Sequence, residues 1–164
     1  MLIYHPAYDA YHCLVRFCAI LKSVSKLEYE RLRILDYCLC FPSIVGSFRL
    51  PKNATKLRAE SQSLSNPYRT PIGLKKVFED IQKIQDPALA CLKTINVIRI
   101  DANNFLTLAA ANIPSEINAR CVQIREEEKF FFEQCLPSFL SIHLNGEDGL
   151  KDRSGLMEYR YDAA

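Results

Sequence analysis

The side chains whose types could do chemistry in this chain are seven cysteines, three histidines and a scatter of carboxylates. Cys38 and Cys40 have the look of a redox or metal pair. One residue apart on a helix, however, they point about 200° away from each other. No Cys or His with zinc-like spacing accompanies them, so packing is the favoured reading. His12 stands between Tyr11 and Cys13, which suggests an imidazole that activates a thiol. Adjacent helical positions do not face each other, and no third group can be named to orient the ring, so a hydrogen-bonded histidine is favoured. His5 and His143 are dispersed, and neither Asp36 nor Asp101 has a second carboxylate at acid–base spacing. The five glycines are ungrouped, which leaves no Gly-rich loop whose amides could cradle a phosphate. These residues predict no catalytic centre, no metal and no cofactor, and an enzyme is disfavoured.

The elements that must position these side chains are mostly helical. With 164 residues, 49% of them hydrophobic, the chain can build one core of ordinary size, and one domain with a tail is expected. The net charge of +2 is too mild to argue for nucleic acid or membrane. Cysteines within apolar helical patterns read as reduced core thiols. No segment reaches the roughly 18 apolar residues of a membrane span, and the start lacks the pattern of a secretory leader. A cytoplasmic protein is expected.

Apolar residues recur at three- and four-residue steps from Tyr8 to about Ser23 and again from Leu27 to Val45, so residues 1–48 read as a helical hairpin. Residues 49–73 lose this period and carry Pro51, Pro67 and Pro71, which predicts a linker. Arg49, Lys52, Lys56, Arg58, Arg69, Lys75 and Lys76 face only Glu60 over this stretch and the turn that follows. The basic segment could touch a DNA backbone, although such loops are more often simply solvated. From Leu74 a helix resumes, Asp86-Pro87 reads as the start of a second one, and Val97–Ile100 with Phe105–Leu108 around Asp-Ala-Asn-Asn reads as a hairpin. Residues 74–113 are therefore expected to form a winged-helix-like unit. Its second helix would offer a single lysine, Lys93, to base edges, which is a poor reading head. Residues 114–144 are expected to hold a long helix, and 145–164 a loose tail. The fold class expected is mainly α.

Phe130, Phe131 and Phe132 span about 200° of helix circumference, more than one core stripe needs. Either the helix is buried on several sides or a ring faces a partner. Tyr37 to Phe41 is apolar all round, so that helix should end deep in a core or under another chain.

Leu27-Glu-x-x-Arg31-Leu32-Arg33-Ile34-Leu35-Asp36-Tyr37, running to Phe41-Pro42, resembles the middle component of ABC-three-component conflict systems, a group that includes the Lamassu-type bacterial antiphage systems. Tyr4-His5-Pro6-Ala7-Tyr8-Asp9-x-Tyr11-His12 at the start, and Asn66-Pro67-Tyr68-Arg69 followed by Phe78, Gln85 and Ala88-Leu89-Ala90, fit the same family in order. The resemblance implies a non-catalytic accessory subunit that binds an SMC-like ABC ATPase and helps couple foreign-DNA sensing to an effector, commonly a nuclease. DNA would then be met through the complex. On that reading Tyr37, Phe41, Phe130, Phe131 and Phe132 supply the partner interface. The competing expectation is a winged-helix DNA-binding regulator that uses the basic 49–76 segment.

Overall fold

A computed structural model describes residues 5–67 and 69–162, and the motif residues Tyr4 and Tyr68 lie outside them. The protein is mainly helical, with one small sheet, and divides into two compact units. The first comprises residues 1–37 and 80–128, the second residues 38–79 and 129–164.

In the first unit a 3₁₀ turn, Pro6–Tyr8, leads into α1, Ala10–Leu21. Asp9 caps α1 by accepting the backbone N–H of His12 at 3.0 Å, which satisfies one of the orphan amides of the first turn. Where the apolar period predicts a helix from Leu27, the chain first makes a two-residue strand β1, Leu27–Glu28, and then α2, Tyr29–Cys40. Residues 31–39 of α2 are buried without interruption. The helix stops at Phe41, whose φ of −136° and ψ of 72° leave the helical region, because a residue before proline is pushed out of it. The sheet order is β1-β3-β2, all antiparallel, with β2 at Ile98–Ile100 and β3 at Phe105–Leu108. Asp101 Oδ1 closes the hairpin by accepting the N–H groups of Asn103 and Phe105, each at 2.9 Å.

The helix-turn-helix of the winged-helix expectation is absent. One helix, α4, runs from Leu74 to Thr94 straight through Pro87. Proline lacks an N–H and crowds the carbonyl four residues back, but Ile81, Gln85, Ala88, Leu89 and Leu92 keep one continuous buried stripe across it, and that burial prevails over the local break. Nor does Asp86 cap a new helix: its carboxylate takes the Tyr29 hydroxyl at 2.6 Å and the Gln82 amide at 3.2 Å. The hairpin forms as expected, and α5, Ser115–Glu127, packs against α1.

In the second unit the expected linker contains α3, Thr55–Ser63, with Leu57 and Ser61 buried. The hydroxyl of Ser61 accepts Gly46 N–H at 2.8 Å and reaches the carbonyls of Pro42 and Ser43 at 2.8 and 3.0 Å. This ties α3 to the 3₁₀ segment Pro42–Ser47. The expected long helix is also interrupted. After α5 ends at Glu128, residues Phe130–Cys135 form a π-helical turn, in which Leu136 N–H bonds the carbonyl of Phe131, and α6 follows at Leu136–Leu140. Pro137 supplies the reason: it has no amide to continue the ladder, and widening the preceding turn relieves its clash with the carbonyl behind it. The tail is not loose either. Helix α7, Leu150–Ser154, buries Leu150 and Lys151, Leu156 is buried beyond it, and a Cβ on buried Gly149 would collide with the carbonyl of Asn145.

Candidate functional site

The most deeply held polar group in the first unit joins the motif residues Arg33, Asp36 and Gln85 to Arg16, which lies outside the motifs. Asp36, on α2, is fully buried, and Arg16, on α1, is 3% exposed. Arg16 Nε donates to Asp36 Oδ1 at 2.5 Å, its Nη2 to Oδ2 at 3.4 Å and its Nη1 to the carbonyl of Pro6 at 2.9 Å. From α4, Gln85 Nε2 donates to Asp36 Oδ2 at 2.9 Å and to the carbonyl of Arg33 at 3.2 Å, and Gln85 Oε1 accepts Arg33 Nε at 3.0 Å. Burial lowers the affinity of the Arg33 guanidinium for its proton. One carboxylate thus joins three helices, and among the described residues no buried side-chain nitrogen or oxygen lacks a partner. A saturated network of this kind fixes which helices meet and in what register. It presents no group to a substrate.

Sequence reasoning set Asp36 aside and passed over Arg16. The signal was nonetheless there: Arg16 interrupts the apolar run Cys13–Leu21, Asp36 interrupts Leu32–Phe41, and Gln85 falls on the buried stripe of α4. Charged residues at core positions imply a buried partner.

Five of the seven cysteines are buried packing groups, but Cys91 is exposed, against the expectation of core thiols throughout. Cys18 and Cys121 are both fully buried, and their mutual hydrogen bond, with burial, holds the Cys18 thiol above its usual range. Burial, with Glu60 nearby, pushes Cys135 up to about 12. Cys38 is buried and Cys40 half-buried. His5 Nδ1 accepts the N–H of Ala7 at 3.1 Å. Among the described residues no group of three His, Cys, Asp or Glu side chains is placed to hold a metal ion, and no helix is long and apolar enough to cross a membrane.

The aromatic residues expected at a partner interface divide sharply. Tyr37, Phe41 and Phe131 are 0%, 5% and 0% exposed, so these three belong to the chain's own interior and present no ring to a partner. Phe130 and Phe132 are half-buried. The π turn explains the division, since it turns Phe131 inward and sets its neighbours at the rim, with Phe132 standing edge-on to Phe131 at 5.0 Å.

The seven basic residues expected at a DNA backbone all fall in the second unit, and several are answered within it. Arg49 pairs with Asp152 and lies 3.9 Å from Asp148, and its carbonyl accepts Arg153 Nη1 at 2.8 Å. Lys56 lies 3.7 Å from Glu60, and Arg58 donates to the carbonyl of Phe48 at 3.3 Å. All seven, Arg49, Lys52, Lys56, Arg58, Arg69, Lys75 and Lys76, are nonetheless exposed. Two carboxylates of the C-terminal segment therefore meet Arg49 at the start of the basic stretch, and the second helix that was to read DNA does not exist as a separate element.

No curated protein and no solved structure matches the chain. A family model does, that of the ABC-three component (ABC-3C) system Middle Component 5, over residues 2–162. The matched span takes in every element described above, including Arg16, Arg33, Asp36 and Gln85, and by it the chain belongs to the middle-component family of ABC-three-component systems.

Proposed function

We propose that this chain is a non-catalytic accessory subunit of a defence complex in the bacterial cytoplasm. It binds an SMC-like ABC ATPase and helps couple the sensing of foreign DNA to an effector such as a nuclease, as in Lamassu-type antiphage systems. The observation that carries the reading is the family match over residues 2–162. Two structural features support it. The motif residues are spent on a buried, saturated network rather than on a reactive cleft. The half-buried rings of Phe130 and Phe132 leave apolar surface that a partner can cover.

Foreign DNA reaches this chain through the complex. Any phosphate-backbone contact of its own falls to the exposed basic stretch of Arg49, Lys52, Lys56, Arg58, Arg69, Lys75 and Lys76. The test is genetic: cells carrying the complete three-component system are challenged with phage, with and without this chain. Loss of protection on its deletion, restored by the wild-type chain in trans, is the expected result. Undiminished protection without it would show that the chain is not part of the coupling.

A further inference from the structure

Two of the buried thiols meet across a seam between helices. Cys18 lies on α1 and Cys121 on α5, the two helices pack against each other, and both residues are 0% exposed. Cys121 Sγ contacts the carbonyl of Val15 at 3.6 Å, and Val15 stands one turn before Cys18 on the same side of α1. The two sulfurs hydrogen-bond to each other. Thiols in such contact can reach bonding distance without parting the helices. One turn beyond Cys18, half-buried Lys22 bonds Asn118, which lies one turn before Cys121 on α5. This sets an ammonium near both sulfurs. The hydrogen bond from Cys18, with Lys22, lowers the Cys121 thiol, whereas Cys18 is held high. The thiolate is the form that reacts, so Cys121 is the nucleophile of the pair.

Burial shields the pair while the seam is closed, and α5 is the element that can open it. Of its 13 residues only Ile117 and Cys121 are buried. A helix held by so narrow a face opens locally at low cost, and opening brings Cys121 within reach of a small solute.

We propose that Cys18 and Cys121 form a modification site at which a hydroperoxide installs a reversible disulfide that fastens α5 to α1. The Cys121 thiolate attacks one peroxide oxygen: an S–O bond forms, the O–O bond breaks, and the departing hydroxide takes a proton to become water. Cys18 then gives up its proton and attacks the sulfenic sulfur, so that the S–S bond forms, the S–O bond breaks and a second water leaves. The two thiols lose two electrons, which the peroxide gains. A dithiol reverses the bond by exchange. In a reducing compartment the pair rests as thiols, and the bridge appears when hydroperoxide rises. The site belongs to this chain alone and does not depend on the accessory-subunit reading.

The test treats the folded full-length chain with hydrogen peroxide, blocks the remaining thiols under denaturing conditions and digests with trypsin. The expected product joins the peptides Phe17–Lys22 and Cys121–Arg125, and dithiothreitol releases it. The bridge closes a loop of roughly 100 residues, so the oxidised chain should gain on the order of 10 °C in Tm, with slower hydrogen exchange in α5. In Cys18→Ala, which cannot form the bridge, dimedone should trap a sulfenic acid on Cys121. Recovery of both thiols free while the exposed Cys91 is oxidised would overturn the proposal. So would a joined peptide that forms only after urea has unfolded the chain, or a dimedone adduct on Cys91 with none on Cys121.

Discussion

Asp36 is fully buried and bonded to an arginine that is 3% exposed, so its removal takes the carboxylate from a positive charge held inside the protein. Asp36→Asn should cost about 3–5 kcal/mol, or roughly 10 °C in Tm for a chain of this size. The double variant Arg16→Met/Asp36→Leu should recover most of that loss, because replacing a whole buried pair by apolar groups is often neutral. Thermal unfolding by circular dichroism checks both, and a double variant as unstable as the single one would contradict this view of the network. Glu128, where α5 ends, is a second residue with a readable cost. Burial, helped by Glu127, raises its carboxyl above the usual range. A raised carboxyl favours the folded state while protonated, so its contribution is full at low pH and is lost as pH rises past the ordinary carboxylate range through the folded value. Glu128→Gln should therefore be more stable than the wild type at neutral pH and lose that advantage toward pH 4. Urea melts at several pH values would show a constant difference if Glu128 were ordinarily solvated.

At the scale of elements, the sharpest departure is α4. Its apolar period runs unbroken through Phe78, Ile81, Ala88, Leu89 and Leu92, all buried, yet Asp86-Pro87 carries a favoured helix-start pattern, a capping residue before a first-turn proline. Local signal and core burial conflict at that dipeptide, and burial prevails. If α4 is continuous, Pro87→Ala restores a backbone hydrogen bond and should stabilise the chain by about 1–3 kcal/mol. If Pro87 opened a second helix instead, the change would be neutral or harmful, and chemical denaturation separates the two. The same contest accounts for what else was legible. Apolar content at three- and four-residue steps marked α1 and α2, which are buried over residues 15–21 and 31–39, and alternation marked the hairpin. It missed α3, whose buried face is little more than Leu57 and Ser61, and the break at Glu128, which has no Gly or Pro to announce it. The π turn was hidden in Pro137, a residue that sequence reasoning used only as a helix end. Ser61→Ala should unpin α3, leaving Gly46 N–H without its acceptor at a cost of about 1–3 kcal/mol. Faster hydrogen exchange confined to Pro42–Ser47 and α3 is the expected signature, and unchanged protection there would contradict it.

For the molecule as a whole, the chain distributes its charge by segment. Arg49 of the basic stretch and the C-terminal carboxylates Asp148 and Asp152 lie in one unit and pair there, with Arg153 sharing Asp148. Function was legible in the sequence only through the resemblance of the Leu27–Pro42 and flanking motifs, whose buried members Arg33, Asp36 and Gln85 build a core network. The interface was less legible. A run of three phenylalanines cannot say which ring turns inward until the π turn assigns Phe131 to the core. The account's central claim is that this chain acts as a bound subunit. The measurement that tests it most directly is a tagged pull-down from the native host at moderate salt, with mass spectrometry of what is retained. The account predicts a large coiled-coil ABC ATPase in near-stoichiometric amount. Recovery of the chain with no protein partner, and with DNA that washes off as salt rises, would contradict it.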